Sequence, residues 1–176
     1  MPYWHLRLEL RPLAWAVLSD RTPVEPLVRA LLPRLGHGGD QQHVLSAPRG
    51  WKRNVHRLSD FCDALPGDLV HVFEFRDPDW LAEETFAVLD EHGACLCIHD
   101  LVDRHPRRVT GPVAYVRFHG SGQRYGGRYP RAQLRRWADW MCEAASQSRH
   151  VFVYFNNDAE ANAVRDAITL RELVRR

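Results

Sequence analysis

Residues 70–80 read VHVFEFRDPDW, and the order of side chains in this run sets the class of fold. Successive side chains of a strand point to opposite faces. One face therefore carries Val70, Val72, Glu74 and Arg76, and the other His71, Phe73 and Phe75. The second face is apolar enough to lie under helices; the first turns polar toward its C-terminal end. Runs of similar length and character recur at 43–47, 94–99, 113–118 and 151–155. Between them, apolar residues fall at helical spacing over 55–65, 81–92 and 131–146, and again over 159–174. Strands alternating with helices are the pattern of βα units on a parallel sheet. Residues 101–112 are too polar and too short a stretch for a helix.

The first part of the chain is less regular. Residues 24–35 have the spacing of an amphipathic helix closed by Gly36, Gly38 and Gly39, and the pattern of residues 3–17 is open to a strand, a helix or neither. The expected class is thus α/β with a parallel sheet. A closed barrel needs eight strands and five are legible, so either the sheet is open or the first third of a barrel is absent.

Composition narrows the function classes. A chain of 176 residues makes one domain or a piece of a larger one, and 45% hydrophobic with 26% charged residues fits collagen-like, disordered and coiled-coil chains poorly. The net charge of +2 is too small to gather nucleic acid or anionic membrane by its field alone. Apart from Lys52 every strongly basic residue is arginine, a chain-wide bias that marks no site. No run reaches the ~18 apolar residues of a membrane span. Arg7, Glu9 and Arg11 break up the first residues in a way no leader does, so a cytoplasmic location is expected. Cys62, Cys95, Cys97 and Cys142 form no C-x-x-C pair and read as reduced packing residues.

The polar residues fall where α/β folds build sites, at the C-terminal ends of parallel strands. The same alternation aligns Tyr115, Arg117 and His119; Leu96, Ile98 and Asp100; and Phe152, Tyr154, Asn156 and Asp158. Glu74 and His119 are the candidate acid/base residues, and Asp100 is a candidate catalytic residue that orients substrate or metal. Arg76, Arg117, Tyr154, Asn156 and Asn157 are candidates for holding substrate, and Trp80 for walling a pocket. Another reading makes Glu74 and Arg117 a structural ion pair. No H-x-H or H-E-x-x-H spacing announces a metal, and cofactors stay unassigned. Gly120, Gly122, Gly126 and Gly127, around Arg124 and Arg128, form a basic surface loop that is neither a P-loop nor a dinucleotide fingerprint. Arg104, His105, Arg107 and Arg108, with Arg131, Arg135 and Arg136, lack aromatic interleaving, so a solvated surface fits them better than a nucleic-acid interface.

Several motifs in one order, VFEFRDPDW at 72–80, YVRFHG at 115–120, Tyr125, and VYFNND at 153–158 followed by Asn162 and Ala163, are together similar to the YecE-like family, domain of unknown function 72. The resemblance covers roughly residues 23–176 and implies a TIM-type β/α barrel of unsettled activity. It places the family's polar positions at Glu74, Arg76, Asp100, Arg117, His119, Asn156 and Asn157. Two departures stand out. A Gln-Leu-Pro-Pro strand end is replaced by Leu45, Ser46, Ala47 and Pro48, and the family's first three βα units have no counterpart in residues 1–22. A barrel without those units exposes sheet edges, which leaves pairing with another chain, a rearranged N-terminal segment or a non-functional remnant as the expected outcomes. The expected function is a small-molecule or phosphate-ester enzyme taking a small anionic ligand. The alternatives are a non-catalytic module binding nucleic acid or protein, and a truncated family member without activity.

Overall fold

The computed structural model describes residues 42–47, 49–122, 125–148 and 150–175. In chain order these form β1 (Gln42–Ala47), α1 (Val55–Ala64), β2 (Val70–Phe75), α2 (Glu83–Glu91), β3 (Cys95–His99), β4 (Val113–Phe118), α3 (Arg131–Gln147), β5 (His150–Phe155) and α4 (Asn162–Val174). The strands follow one another in the sheet as they do in the chain. β1 with β2, β2 with β3 and β4 with β5 run parallel. This is an α/β fold of TIM-barrel type with five strands among the described residues. The segment 1–22, the helix expected over 24–35, Pro48 and Arg124 lie outside those residues. No helix among the described residues is long and apolar enough to cross a membrane.

All five strands lie within one residue of their expected bounds. The last helix starts later than its spacing implied: 159–161 form a 3-10 turn in which Glu160 and Ala161 both take φ of +58°. The helix begins at Asn162, and the Ala163 N–H reaches back to the Asn157 carbonyl at 3.1 Å.

Residues 42–97 and 110–112 make one compact unit. Its core is an aromatic column on the apolar face of β2, where Phe75 stacks on Trp80 with centroids 4.9 Å apart and Trp80 meets Trp51 at 4.6 Å. Asn54 starts α1 by accepting the Arg57 N–H at 3.0 Å, which satisfies an orphan donor of the first turn. Ser59 and Asp63, one turn apart on α1, both reach His92 at the end of α2, with Ser59 Oγ 3.0 Å from Nε2 and Asp63 Oδ1 3.4 Å from Nδ1. That contact ties the two helices together. Burial, helped by Asp63, pushes the Cys62 thiol up to about 12, as befits an inert packing residue. Cys95 and Cys97 are buried and Cys142 is exposed, and none of the three forms a disulfide among the described residues.

Thr110 binds the start of β3, accepting the Leu96 N–H at 2.7 Å and donating to the Ala94 carbonyl at 2.9 Å. The neighbouring Gly111 has φ of +64°, and a Cβ there would lie 2.8 Å from the carbonyl oxygens of Gly93 and Ala94. Both conditions demand glycine. Gly111→Ala is expected to cost about 2 kcal/mol in urea unfolding; an unchanged midpoint would contradict this packing.

His43 and His71 face each other across β1 and β2, both buried. Burial, and for His43 the charge of His71, holds both below the ordinary imidazole value; the Pro66 carbonyl and Asp68 oppose this at His71 without reversing it. The unfolded chain therefore binds more protons than the folded one as pH drops below ~6.5. These groups contribute full stability above that value and lose it on acidification. Unfolding free energy measured from pH ~8 to ~5 is expected to fall, and to fall less in His71→Phe.

Residues 98–109 and 113–175 make the second compact unit. Phe118, closing β4, packs on Phe155 at 4.7 Å and edge-on to Trp137 of α3 at 5.0 Å. This core fixes the strand ends from which the polar residues project.

Candidate functional site

Within the second unit, Asp100 follows directly on β3 and His119 on β4. Asp100 Oδ1 accepts both the backbone N–H of His119 at 2.8 Å and its ring Nδ1 at 3.2 Å. Tyr129, from the loop before α3, donates its hydroxyl to Asp100 Oδ2 and accepts the Gly120 N–H at 2.7 Å. An ionised carboxylate only accepts, so Nδ1 of His119 carries a proton and Nε2 is the basic atom of the neutral ring. Burial first, then the Asp100 charge, raises the Tyr129 phenol well above its ordinary value, which keeps it a donor. His119 is 1% exposed, and a buried imidazole held on one side by carboxylate is the arrangement of an oriented general base.

Other rings surround it. His99 meets His119 edge to face at 5.9 Å and His105 at 4.5 Å. The Leu101 N–H donates to His99 Nδ1 at 3.2 Å, so Nε2 is the protonated nitrogen of neutral His99. The exposed Tyr125 ring lies 5.8 Å from His119. Arg117, opposite Tyr154 in register, is buried, and Tyr115 stacks on Tyr154 at 4.8 Å. Asn156 is half-buried and its backbone N–H donates to the Phe118 carbonyl at 2.7 Å.

Asn157 is placed differently from its neighbour. Fully buried, it donates Nδ2 to the Gly127 carbonyl and to Asp166 Oδ2, both at 2.8 Å. Asp166, buried on α4, also accepts the Tyr129 N–H at 3.1 Å and Arg128 Nε at 3.4 Å. A chain of contacts thus runs from Asp166 through Tyr129 and Asp100 to His119. Tyr129, Asp166, His99 and His105 joined the site without having been singled out as candidates for it.

Glu74, Arg76 and Trp80 belong to the first unit. Glu74 is fully buried; Arg76 Nε sits 2.8 Å from its Oε1, Ser46 Oγ 3.5 Å from the same oxygen and Cys97 Sγ 3.8 Å from Oε2. Ser46 is thus the residue at the replaced strand end that meets the carboxylate. Trp80 is enclosed in the aromatic column with its Nε1–H on the Trp51 carbonyl at 2.8 Å. Among the described residues no three His, Cys, Asp or Glu side chains are grouped to hold a metal. Of the arginine-rich surface, Arg107 lies 3.9 Å over the Trp137 ring and donates to the Arg136 carbonyl at 3.4 Å.

UPF0759 protein YunF of Bacillus subtilis (strain 168) is 28% identical over an alignment of 153 residues, and the match covers 70% of this chain and 52% of that protein. The chain spans about half the length of this curated relative. A DUF72 family protein from Thermotoga maritima MSB8 superposes with a TM-score of 0.72 at 21% identity, covering 87% of this chain and 65% of that one. A second, from Enterococcus faecalis V583, does so with a TM-score of 0.72 at 16% identity, covering 90% and 68%. At these identities the likeness is one of fold. The sequence model of the family described as "Protein of unknown function DUF72" matches residues 26–176, and the chain belongs to that family.

Proposed function

We propose that the chain is an acid/base catalyst acting on small phosphate esters, with His119 as the proton carrier. The observation that supports this reading is the grip of Asp100 on His119 Nδ1, which leaves Nε2 as the basic atom. In this scheme His119 Nε2 takes a proton from the attacking water or hydroxyl and returns it to the leaving oxygen. Asp100 stabilises the imidazolium formed in between. Tyr129 positions Asp100 by occupying its second oxygen. Arg117 carries a permanent charge on the same strand and neutralises the anionic group, while Tyr154 and Asn156 orient the rest of the substrate. Glu74, committed to Arg76, has a structural part here.

An array of nitrophenyl phosphate monoesters and diesters and of sugar phosphates tests the reading. At least one is expected to turn over, and Arg117→Gln to raise KM about tenfold or more with a smaller change in kcat. Absence of turnover across the array removes the phosphate-ester reading. A non-catalytic nucleic-acid module has less support, since Arg107 is spent on Trp137. We also propose a second copy of the chain as partner, because β1 and β5 each have one neighbour among the described residues. The mass in solution tests that; a strictly monomeric chain at high concentration contradicts it.

A further inference from the structure

We propose that His43 and His71 form a binding site for a two-coordinate monovalent ion of the copper(I) class, near the N-terminal ends of β1 and β2. The two residues are direct partners in the parallel register and are 6% and 8% exposed. His71 Nε2 lies 2.8 Å from the Pro66 carbonyl oxygen. A carbonyl can only accept, so Nε2 bears the proton and Nδ1 the lone pair. Among the described residues that Nδ1 has no hydrogen-bond partner, and neither has Nε2 of His43. Two buried nitrogens without partners among the described residues, on directly paired residues of adjacent strands, are costly unless something occupies them.

The spacing of the rings indicates what that is. Their centres are 6.0 Å apart, with the planes at 53°. A direct N–H···N bond of ~2.9 Å, with ~1.1 Å from each nitrogen to its ring centre, spans at most ~5.1 Å. An ion ~2.0 Å from each nitrogen spans up to ~6.2 Å when the two bonds are nearly in line. The observed separation is too long for the first and lies within reach of the second. Near-linear coordination by two neutral donors suits a monovalent ion with a filled d shell. Zinc, calcium and magnesium ask for four or more ligands, and no group of three such side chains is present among the described residues. Imidazole is a suitable donor for copper. The N–H of a metal-binding histidine usually rests on a carbonyl or carboxylate, as that of His71 rests on Pro66. The carboxylate of Asp68 lies near enough to act on His71 and offsets part of the added charge.

The test uses the full chain with the exposed thiol removed (Cys142→Ser), titrated with copper(I) against the chelator bicinchoninate. Retention of one equivalent, with a rise in Tm, is expected. In that background His43→Phe and His71→Phe should each weaken retention at least tenfold. Unchanged retention in both variants would assign the ion to the buried thiols and overturn the proposal, as would no retention at all, which leaves a bridging water as occupant. Because either phenylalanine variant could misfold, a silver(I) titration of the unaltered histidines is followed by imidazole nitrogen NMR. His43 Nε2 and His71 Nδ1 should move together and saturate at one equivalent; movement of other histidines instead contradicts the site.

Discussion

Asp166→Ala is expected to lower unfolding free energy by about 3 kcal/mol, because it leaves the buried N–H groups of Tyr129 and Asn157 without an acceptor at roughly 1–3 kcal/mol each. Both groups meet the same oxygen, Oδ2, whereas Oδ1 faces the half-exposed Arg128. Asp166→Asn can keep its carbonyl oxygen toward both buried donors and loses only the contact with Arg128. It should therefore cost about 1 kcal/mol. Urea unfolding of the two variants separates the explanations. If they are equally damaging, the negative charge of Asp166 matters rather than the acceptor, and this account of the loop is wrong. If alanine is much the worse, the loop carrying Tyr129 is held as described.

The second large effect concerns catalysis. His119→Gln is expected to reduce turnover of any accepted phosphate ester by ~10²–10⁴-fold, the usual contribution of a positioned acid/base residue. Far-UV circular dichroism should stay unchanged. Asp100→Asn should also reduce turnover strongly, since an amide that accepts from Nδ1–H must turn its NH₂ toward the Tyr129 hydroxyl, which then loses its acceptor. Tyr129→Phe keeps the ring and removes only the hydroxyl, so it should fall between wild type and Asp100→Asn in kcat with KM little changed. Loss of helix content matching the loss of activity in all three would make the network structural instead.

The strands were legible because each is a short apolar run whose alternation survives in the sequence, and Glu74, Asp100 and His119 could be picked out as polar residues at the ends of such runs. Residues reached through tertiary contact were not. Tyr129 lies 29 residues from Asp100, and Asp166 lies 37 from Tyr129. A carboxylate within the charged pattern of residues 159–174 has the look of a solvated face, yet Asp166 is fully buried because two loop N–H groups need it. Trp80 shows the converse. Its place after a site strand reads as a pocket wall, whereas the ring fills the space between Phe75 and Trp51. Asn156 and Asn157 are adjacent in sequence but differ in task, because one follows the strand face of Tyr154 and the other turns to the loop that carries Tyr129.

The orientation of His119 by Asp100 is most directly tested by imidazole nitrogen and proton NMR at alkaline pH, where the ring is neutral. The expected result is a proton on Nδ1, downfield and slow to exchange, with Nε2 showing the shift of a bare lone pair, and loss of this pattern in Asp100→Asn. A neutral ring protonated on Nε2, or a spectrum unchanged by Asp100→Asn, would contradict the account.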